Sequence, residues 1–289
     1  MPVIVVTDSS ARLPDPMIAE WGIRVVPLHI LVDGDDLRDG VDEAPGDLYQ
    51  RQVTTAGASP TELAAVYREA LSDSRGDGVV AVHISNELSS TLGAAQHGAR
   101  EFDGAVRVID SKSAGMGTGF VALAAARAAR EGENLSTVAA QAESTVPRVY
   151  AFLVVQRLEN LRRSGRIGAT ASWLGTALAL KPLLRIDDGK LVLAQRVRTT
   201  SKATVAMVEH VLAVVGERRA ALAVHHVDNP AGAAEVAATL AGALPGCGPA
   251  VVTDLGPVLG VHLGPGAVGV VLAIEPVVES GVSEPRSDR

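Results

Sequence analysis

Short apolar runs, each ending in a polar loop and each followed by a helix-forming stretch, recur through the first half of the chain. "VIVVT" (3–7) runs into "DSS", "GVVAVHIS" (78–85) into "NELSS", and "AVRVIDS" (105–111) into the small-residue run "GMGTGFVALAAARAAREG" (115–132). A continuous apolar run has no polar face, so a strand of this kind is buried on both sides. Strands alternating with helices in this way define a mostly parallel sheet with helices on its faces. The helix at "SPTELAAVYREALS" carries its own start signal: Ser59 as N-cap, Pro60 at the first helical position and Glu62 three residues beyond the cap. "IRVVPLHILVD" (23–33) reads as one or two strands broken at Pro27.

After a helix over "LSTVAAQAESTV", Pro147 marks a break and "VYAFLVV" begins a new unit. Residues 157–182 read as helical but punctuated by "SGRIG", and "LLRIDDGKLVLAQRVR" is a β-hairpin around the "DDG" turn. "SKATVAMVEHVLAVVGE" and "NPAGAAEVAATLAGAL" read as helices, and "RRAALAVHHVD", "PAVVTDLG" and "AVGVVLAIE" as strands. This order predicts an N-terminal α/β domain over 1–148, a second, α+β-like domain with its own hairpin over 149–280, and a polar tail over 281–289. A chain of 289 residues is long enough for either one large α/β domain or two smaller ones.

A formal net charge of −7 argues against a nucleic-acid binder, which needs a basic surface. The single Cys247 excludes an internal disulfide and any multi-cysteine metal site, and suits a reducing compartment. "MPVIVVTDSS" lacks a basic leader, and "FVALAAARAA" contains Arg127 and is too short to span a bilayer. The expectation is a soluble, cytoplasmic protein with transient membrane contact at most. Aromatic residues are only 3% of the chain, so the interior must be built from Ala, Val and Leu, which is compatible with an aliphatic ligand.

No cofactor or metal motif survives inspection. "GPGAVG" (264–269) matches the G-x-G-x-x-G pattern, but a dinucleotide site needs a helix after it and the following "VVLAIEP" reads as a strand. His225 and His226 of "HHVD" are strand neighbours that point to opposite faces, with no carboxylate cluster beside them. The hydroxyl clusters "TDSS" (7–10), "TTAGAS" (54–59) and Ser85 to Thr91 are more informative. Loops at the carboxyl ends of parallel strands form the ligand crevice of an α/β sheet, and helix N-termini there offer free N–H groups to an anion such as a carboxylate. Helix capping by Ser89 and Thr55 is the ordinary alternative. A serine-dependent acyl hydrolase is a further reading, because His83 or His262 could approach Ser89, although no nucleophile elbow is present.

Taken together, six stretches resemble the DegV family of bacterial fatty-acid-binding proteins, in the family's order and nearly end to end. They are "VTDSSARLP" (5–13), "HISNELSSTLGAA" (83–95), "VIDSKSAGMGTG" (108–119), "RLENLRRSGRIGATASWLGTALALKPLLRIDDGKL" (157–191), "VRTTSKA" (197–203) and "HLGPGAVGV" (262–270). The resemblance implies two α/β domains, the first with a mostly parallel sheet and the second with a mixed sheet carrying the hairpin. A fatty acid lies between them with its tail buried. Family members resemble carriers that present the bound fatty acid to the catalytic subunit of a separate fatty acid kinase, which makes the acyl-phosphate. The carrier itself then performs no chemistry and needs no catalytic residue, cofactor or metal.

Carried over residue by residue, the resemblance puts the carboxylate-binding threonine at Thr55, the serine at Ser89 and the histidine of "H-x-G-P-G" at His262. Ser90 joins them, and Gly264 reads as part of a tight turn that lets backbone approach the ligand. Arg166 of "SGRIG" and Arg198 of "VRT" match family arginines. Arg198 is the stronger candidate for contacting the kinase or the exposed carboxylate, a surface salt bridge being its ordinary alternative. Three departures bear on the site. Thr55 to Ser59 is "TAGAS" where the family runs T-S-Q-P-S, Ser90 replaces a usual glycine, and Gly115 a frequent serine. A head group that later receives a phosphoryl group is better held by neutral donors than by a buried ion pair, whose rupture is costly. The helix over "GTGFVALAAARAA" (117–129) is a candidate tunnel wall, with simple packing on a sheet as the equal alternative.

Overall fold

The structure, a computed structural model, describes residues 2–167 and 181–276. Its strands are β1 (Ile4–Asp8), β2 (Arg24–Val26), β3 (His29–Val32), β4 (Asp35–Arg38), β5 (Val53–Ala56), β6 (Val79–His83), β7 (Val106–Asp110), β8 (Val149–Val154), β9 (Lys181–Asp187), β10 (Lys190–Val197), β11 (Ala220–His226), β12 (Val251–Asp254) and β13 (Val268–Ile274). Its helices are α1 (Asp15–Trp21), α2 (Pro60–Ser74), α3 (Thr91–Ala99), α4 (Met116–Arg130), α5 (Leu135–Thr145), α6 (Glu159–Arg163), α7 (Thr200–Val215), α8 (Pro230–Ala243) and α9 (Gly256–Leu263). No helix of the described residues is long and apolar enough to cross a membrane.

Strands before residue 148 form two sheets and strands after it form a third. The first sheet, in the order β2-β1-β6-β7, is parallel throughout, as the strand–helix alternation requires. The second is a small antiparallel sheet, β4-β3-β5. Pro27 separates β2 from β3 and so sends one apolar run into two different sheets. The third is mixed, in the order β10-β9-β8-β13-β11-β12, with β11 and β12 its parallel pair and β9–β10 the predicted hairpin. The α/β fold class and the pairing of a parallel with a mixed sheet are therefore as the sequence implies.

One face of the parallel sheet packs through α4 onto the inner face of the mixed sheet. Val80, Val82 and Ile109 meet Phe120, Val121 and Ala125 of α4, and Ala151, Ala223 and Val271 close the layer from the other side. A helix that is apolar all round belongs between two layers, and α4 is buried along most of its length. The other face of the parallel sheet packs on α2 and the small antiparallel sheet, and the outer face of the mixed sheet packs on α7 and α8. Residue 148 thus divides the sheets while the central core runs across it.

Several local expectations change. Helix α2 starts as read, with both bonds of the capping box between Ser59 and Glu62 formed. Thr55 is the third residue of β5 and caps nothing. His262 sits on α9, a helix that the run "GPVLGVHL" disguises because it has no polar face. The helix read over 157–182 is described only as α6, closed at Ser164 and Gly165; residues 168–180 lie outside the described residues, as does the tail 281–289. None of residues 117–129 lines the interior cavity, so this helix is packing between sheets and not a tunnel wall.

Candidate functional site

An interior cavity of about 380 Å³ opens where the three sheets converge. That volume is within the range of roughly 300–1,000 Å³ usual for small-molecule sites. Its walls are mainly aliphatic: Leu28 and Ile84 from one side, Leu153, Ile186, Leu191 and Val271 from the mixed sheet, and Val258, Leu259 and Leu263 from α9. The polar wall groups are few: Thr55, Ser89, Ser90, Arg166, His225 and His262, with no Asp or Glu among the described residues that line it.

Thr55 and His262 meet directly, Thr55 Oγ1 and His262 Nε2 lying 2.8 Å apart across 207 positions of sequence. Pairing of β5 with β3 places Thr55 opposite Ile30, and α9 delivers His262 from the far end of the chain. Burial pushes the His262 imidazole down to about 4, with the nearby Arg166 charge acting in the same direction. His262 is therefore neutral near pH 7 and carries one N–H and one lone pair.

Ser89 belongs to the loop between β6 and α3. Its Oγ accepts from the Thr91 amide at 3.2 Å and lies 2.8 Å from Thr91 Oγ1. Ser90 occupies the N-cap position of α3 without a capping bond from its side chain. Either hydroxyl can donate in the Ser89–Thr91 pair, and with Thr91 as donor the Ser89 proton is free for another acceptor in the cavity. Gly57 sits against this pair: a Cβ there would come within 2.6 Å of Thr91 Oγ1. The "TAGAS" departure at this position thus leaves space that Thr91 occupies.

Arg166 also lines the cavity, although sequence reading placed it with Arg198 on a partner surface. Its Nε donates to Leu88 O at 3.2 Å and its Nη1 to Ser164 O at 2.6 Å. It pairs with no carboxylate among the described residues. Arg198 stands apart, exposed in the turn between β10 and α7. Gly264 closes α9 at φ +77° and donates to Gly260 O at 2.7 Å, but it is not a wall residue. "GPG" is the turn into β13, and the strand that follows removes any dinucleotide reading of "GPGAVG".

The other hydroxyl clusters do structural work. Thr7 Oγ1 donates to Val82 O, and Ser85 Oγ donates to Gly189 O of the hairpin turn. His83, one candidate partner for Ser89, is fully buried with Nδ1 on Asp8 at 2.9 Å and Nε2 on the Tyr67 hydroxyl at 2.8 Å. Both of its nitrogens are taken. His262 is paired with Thr55 instead of Ser89, and no carboxylate among the described residues orients its ring, so the Ser–His–acid arrangement of a hydrolase is not assembled here. His225 and His226 diverge as strand neighbours should. His225 Nε2 accepts from Met116 N at 2.9 Å and its Nδ1 faces Thr253 O at 3.3 Å, whereas His226 pairs with Asp254. Burial lowers His225 to about 4, so it forms a neutral part of the cavity floor.

The fold and the site together define an α/β protein built around an interior apolar cavity with, among the described residues, a few neutral donors and one cation in its wall. The chain belongs to the DegV family: a family model described as "Uncharacterised protein, DegV family" matches residues 2–275. A DegV domain-containing protein of Mycobacterium tuberculosis is 62% identical over 274 residues, covering 95% of this chain and 98% of the relative. Another, from Streptomyces coelicolor, is 38% identical over 276 residues, covering 94% and 98%. Among solved structures, a DegV family protein from Thermus thermophilus, described by its fatty acid binding, superposes with a TM-score of 0.89 at 34% identity over 95% of this chain and 100% of its own. DegV of Bacillus subtilis, described as a fatty acid binding protein, gives 0.86 at 27% identity over 95% and 100%.

Proposed function

We propose that this chain binds a long-chain fatty acid, its carboxylate held by Thr55, Ser89 and His262 and its tail in the aliphatic cavity, and presents it to a fatty acid kinase. The observation that carries the reading is the convergence of two hydroxyls and a neutral imidazole in the wall of a cavity that is otherwise aliphatic and free of carboxylates among the described residues. Thr55 and His262 share one proton between them, so the pair offers one donor outward and Ser89 a second, which suits the two oxygens of a single carboxylate, and each buried methylene contributes about 0.8 kcal/mol of affinity. Descriptions of the Thermus and Bacillus relatives as fatty acid binders support the ligand class. Ser90 borders the same head group, and Arg166 adds a cation that favours an anionic ligand without locking it in a fully buried ion pair. The two domains, 1–148 and 149–280, hold the ligand between them. Arg198, exposed and unpaired among the described residues, is the contact for the kinase. The carrier itself is non-catalytic.

Native mass spectrometry of the purified protein, followed by denaturing extraction, tests this. The expected result is a near-stoichiometric adduct with the mass of a fatty acid. An empty protein that also refuses added fatty acids would overturn the reading, and turnover of a nitrophenyl ester above background would overturn its non-catalytic part.

A further inference from the structure

The hydroxyl cluster "TDSS" (7–10) is one that the sequence offers as a ligand contact, yet none of residues 7–12 lines the cavity. The polar groups of residues 7–12 reach instead toward the loop that carries Ser89, the strand that pairs with Thr55 and the helix that carries His262. Asp8 Oδ2 accepts from Ile84 N at 3.1 Å, where the loop to Ser89 begins. Ser9 Oγ accepts from Leu28 N at 3.1 Å, at the entrance to β3, the strand that pairs with Thr55. Arg12 Nε donates to Asp254 O at 3.1 Å, and its Nη1 lies 3.5 Å from Asp39 Oδ2, so one guanidinium spans the approach to α9 and the loop after β4.

We propose that the Arg12–Asp39 pair is a positioning clamp that sets α9, and with it His262, against Thr55. The proposal rests on the fatty-acid reading only for what His262 does to a ligand. Asp39 is 2% exposed, and neither of its carboxyl oxygens completes a hydrogen bond. The Ser9 hydroxyl and the Val258 amide of α9's first turn face it. A buried carboxylate left in this state is costly, and the Arg12 cation with the positive end of α9 offsets that cost. Burial raises the Asp39 carboxyl above its ordinary range, and Arg12 pulls it back.

Packing makes the clamp specific to its place. A Cβ at Gly256, the first residue of α9, would fall on the Arg12 guanidinium, and Gly256 is held at φ +67°. Arg12 itself, at φ +51°, is the left-handed C-cap of the short turn Ser9–Ala11, with its N–H on Ser9 O, which fixes where its side chain starts. Val258 and His262 are four residues apart, about one helical turn, so a shift of the first turn is passed to the imidazole.

The test compares wild type with Arg12→Met, Arg12→Lys, Asp39→Asn and the double variant Arg12→Met/Asp39→Leu. The double variant removes both the half-buried Arg12 charge and the buried Asp39 charge, so it avoids the cost of stranding Asp39 without its cation. Two readouts separate positioning from general stability. The first is the ring-nitrogen NMR signal of His262 in lipid-free protein. The second is the preference for palmitate over the alcohol of the same chain length. The clamp predicts a shifted His262 signal in every folded variant, and an acid-over-alcohol preference reduced about tenfold, the scale of one hydrogen bond to a charged group. Arg12→Lys fails to rescue, because an ammonium cannot reach Asp39 and Asp254 O in one fork. A wild-type His262 signal and wild-type preference in the folded double variant would overturn the clamp. If wild type itself takes neither palmitate nor the alcohol, the functional reading fails, and the His262 signal still decides the clamp.

Discussion

Replacing Thr55 by Val tests the head-group arrangement with almost no change in shape. The substitution removes the hydroxyl 2.8 Å from His262 Nε2 and leaves that part-buried nitrogen without its partner in the lipid-free protein. Leaving a buried polar group unsatisfied costs about 1–3 kcal/mol of stability. In the bound state the variant also lacks one hydrogen bond to a carboxylate, about 1.5–3 kcal/mol, or a loss of affinity of roughly 10- to 150-fold. The tail contribution is untouched, because Thr55 belongs to the polar end of the site and the aliphatic walls remain. Calorimetric Kd values for saturated acids of increasing length should therefore give two parallel lines. Each added carbon strengthens binding by about fourfold in both proteins, corresponding to 0.8 kcal/mol per methylene. Only the intercept moves. An unchanged intercept would remove Thr55 from the head-group site, and a changed slope would mean that Thr55 faces the tail.

Three further outcomes are expected. Gly57→Ala forces a Cβ onto Thr91 Oγ1 and should cost about 1–3 kcal/mol while weakening lipid retention through Ser89; unchanged melting and retention would show that the loop has slack. His262 and His225 are both held near 4, below their unfolded value of about 6.5, so the unfolded chain binds protons that the folded chain does not. Stability should be full above about pH 6.5 and fall as the pH drops toward 4, by at most roughly 3 kcal/mol for each histidine. His262→Asn should flatten part of that slope in thermal unfolding, and an identical slope would sink the assignment. Arg198→Ala should leave fatty-acid Kd values unchanged and slow phosphorylation in a reconstituted kinase assay; undiminished turnover would return Arg198 to the ordinary surface.

Legibility in the sequence followed the range of the interactions involved. The capping box of Ser59 and Glu62 and the "DDG" hairpin are contacts within a few residues, so composition and spacing determine them. The alternation of apolar strands and helices likewise dictates a parallel sheet, because a strand without a polar face must be covered on both sides. Helix α9 escaped that reasoning because "GPVLGVHL" has no polar face to display a helical period, packed as it is between the cavity wall and Tyr49. Thr55 looked like a cap because a helix follows it closely, but pairing with β3 decides its conformation.

By itself, then, the sequence determined most of the strands and helices, α9 and β5 excepted, and through six motifs the family whose fold they build. Tertiary structure alone decided the chemistry of the cavity. It put Thr55 on His262 from 207 residues away and carried Arg166 from a candidate outer surface into the wall. It also turned the "TDSSAR" hydroxyls and charges away from the cavity toward Leu28, Ile84 and Asp254. Local propensity acts over a few bonds. The direction a side chain finally faces is set by which sheet its neighbours join and by the burial of every polar group against a partner elsewhere in the chain.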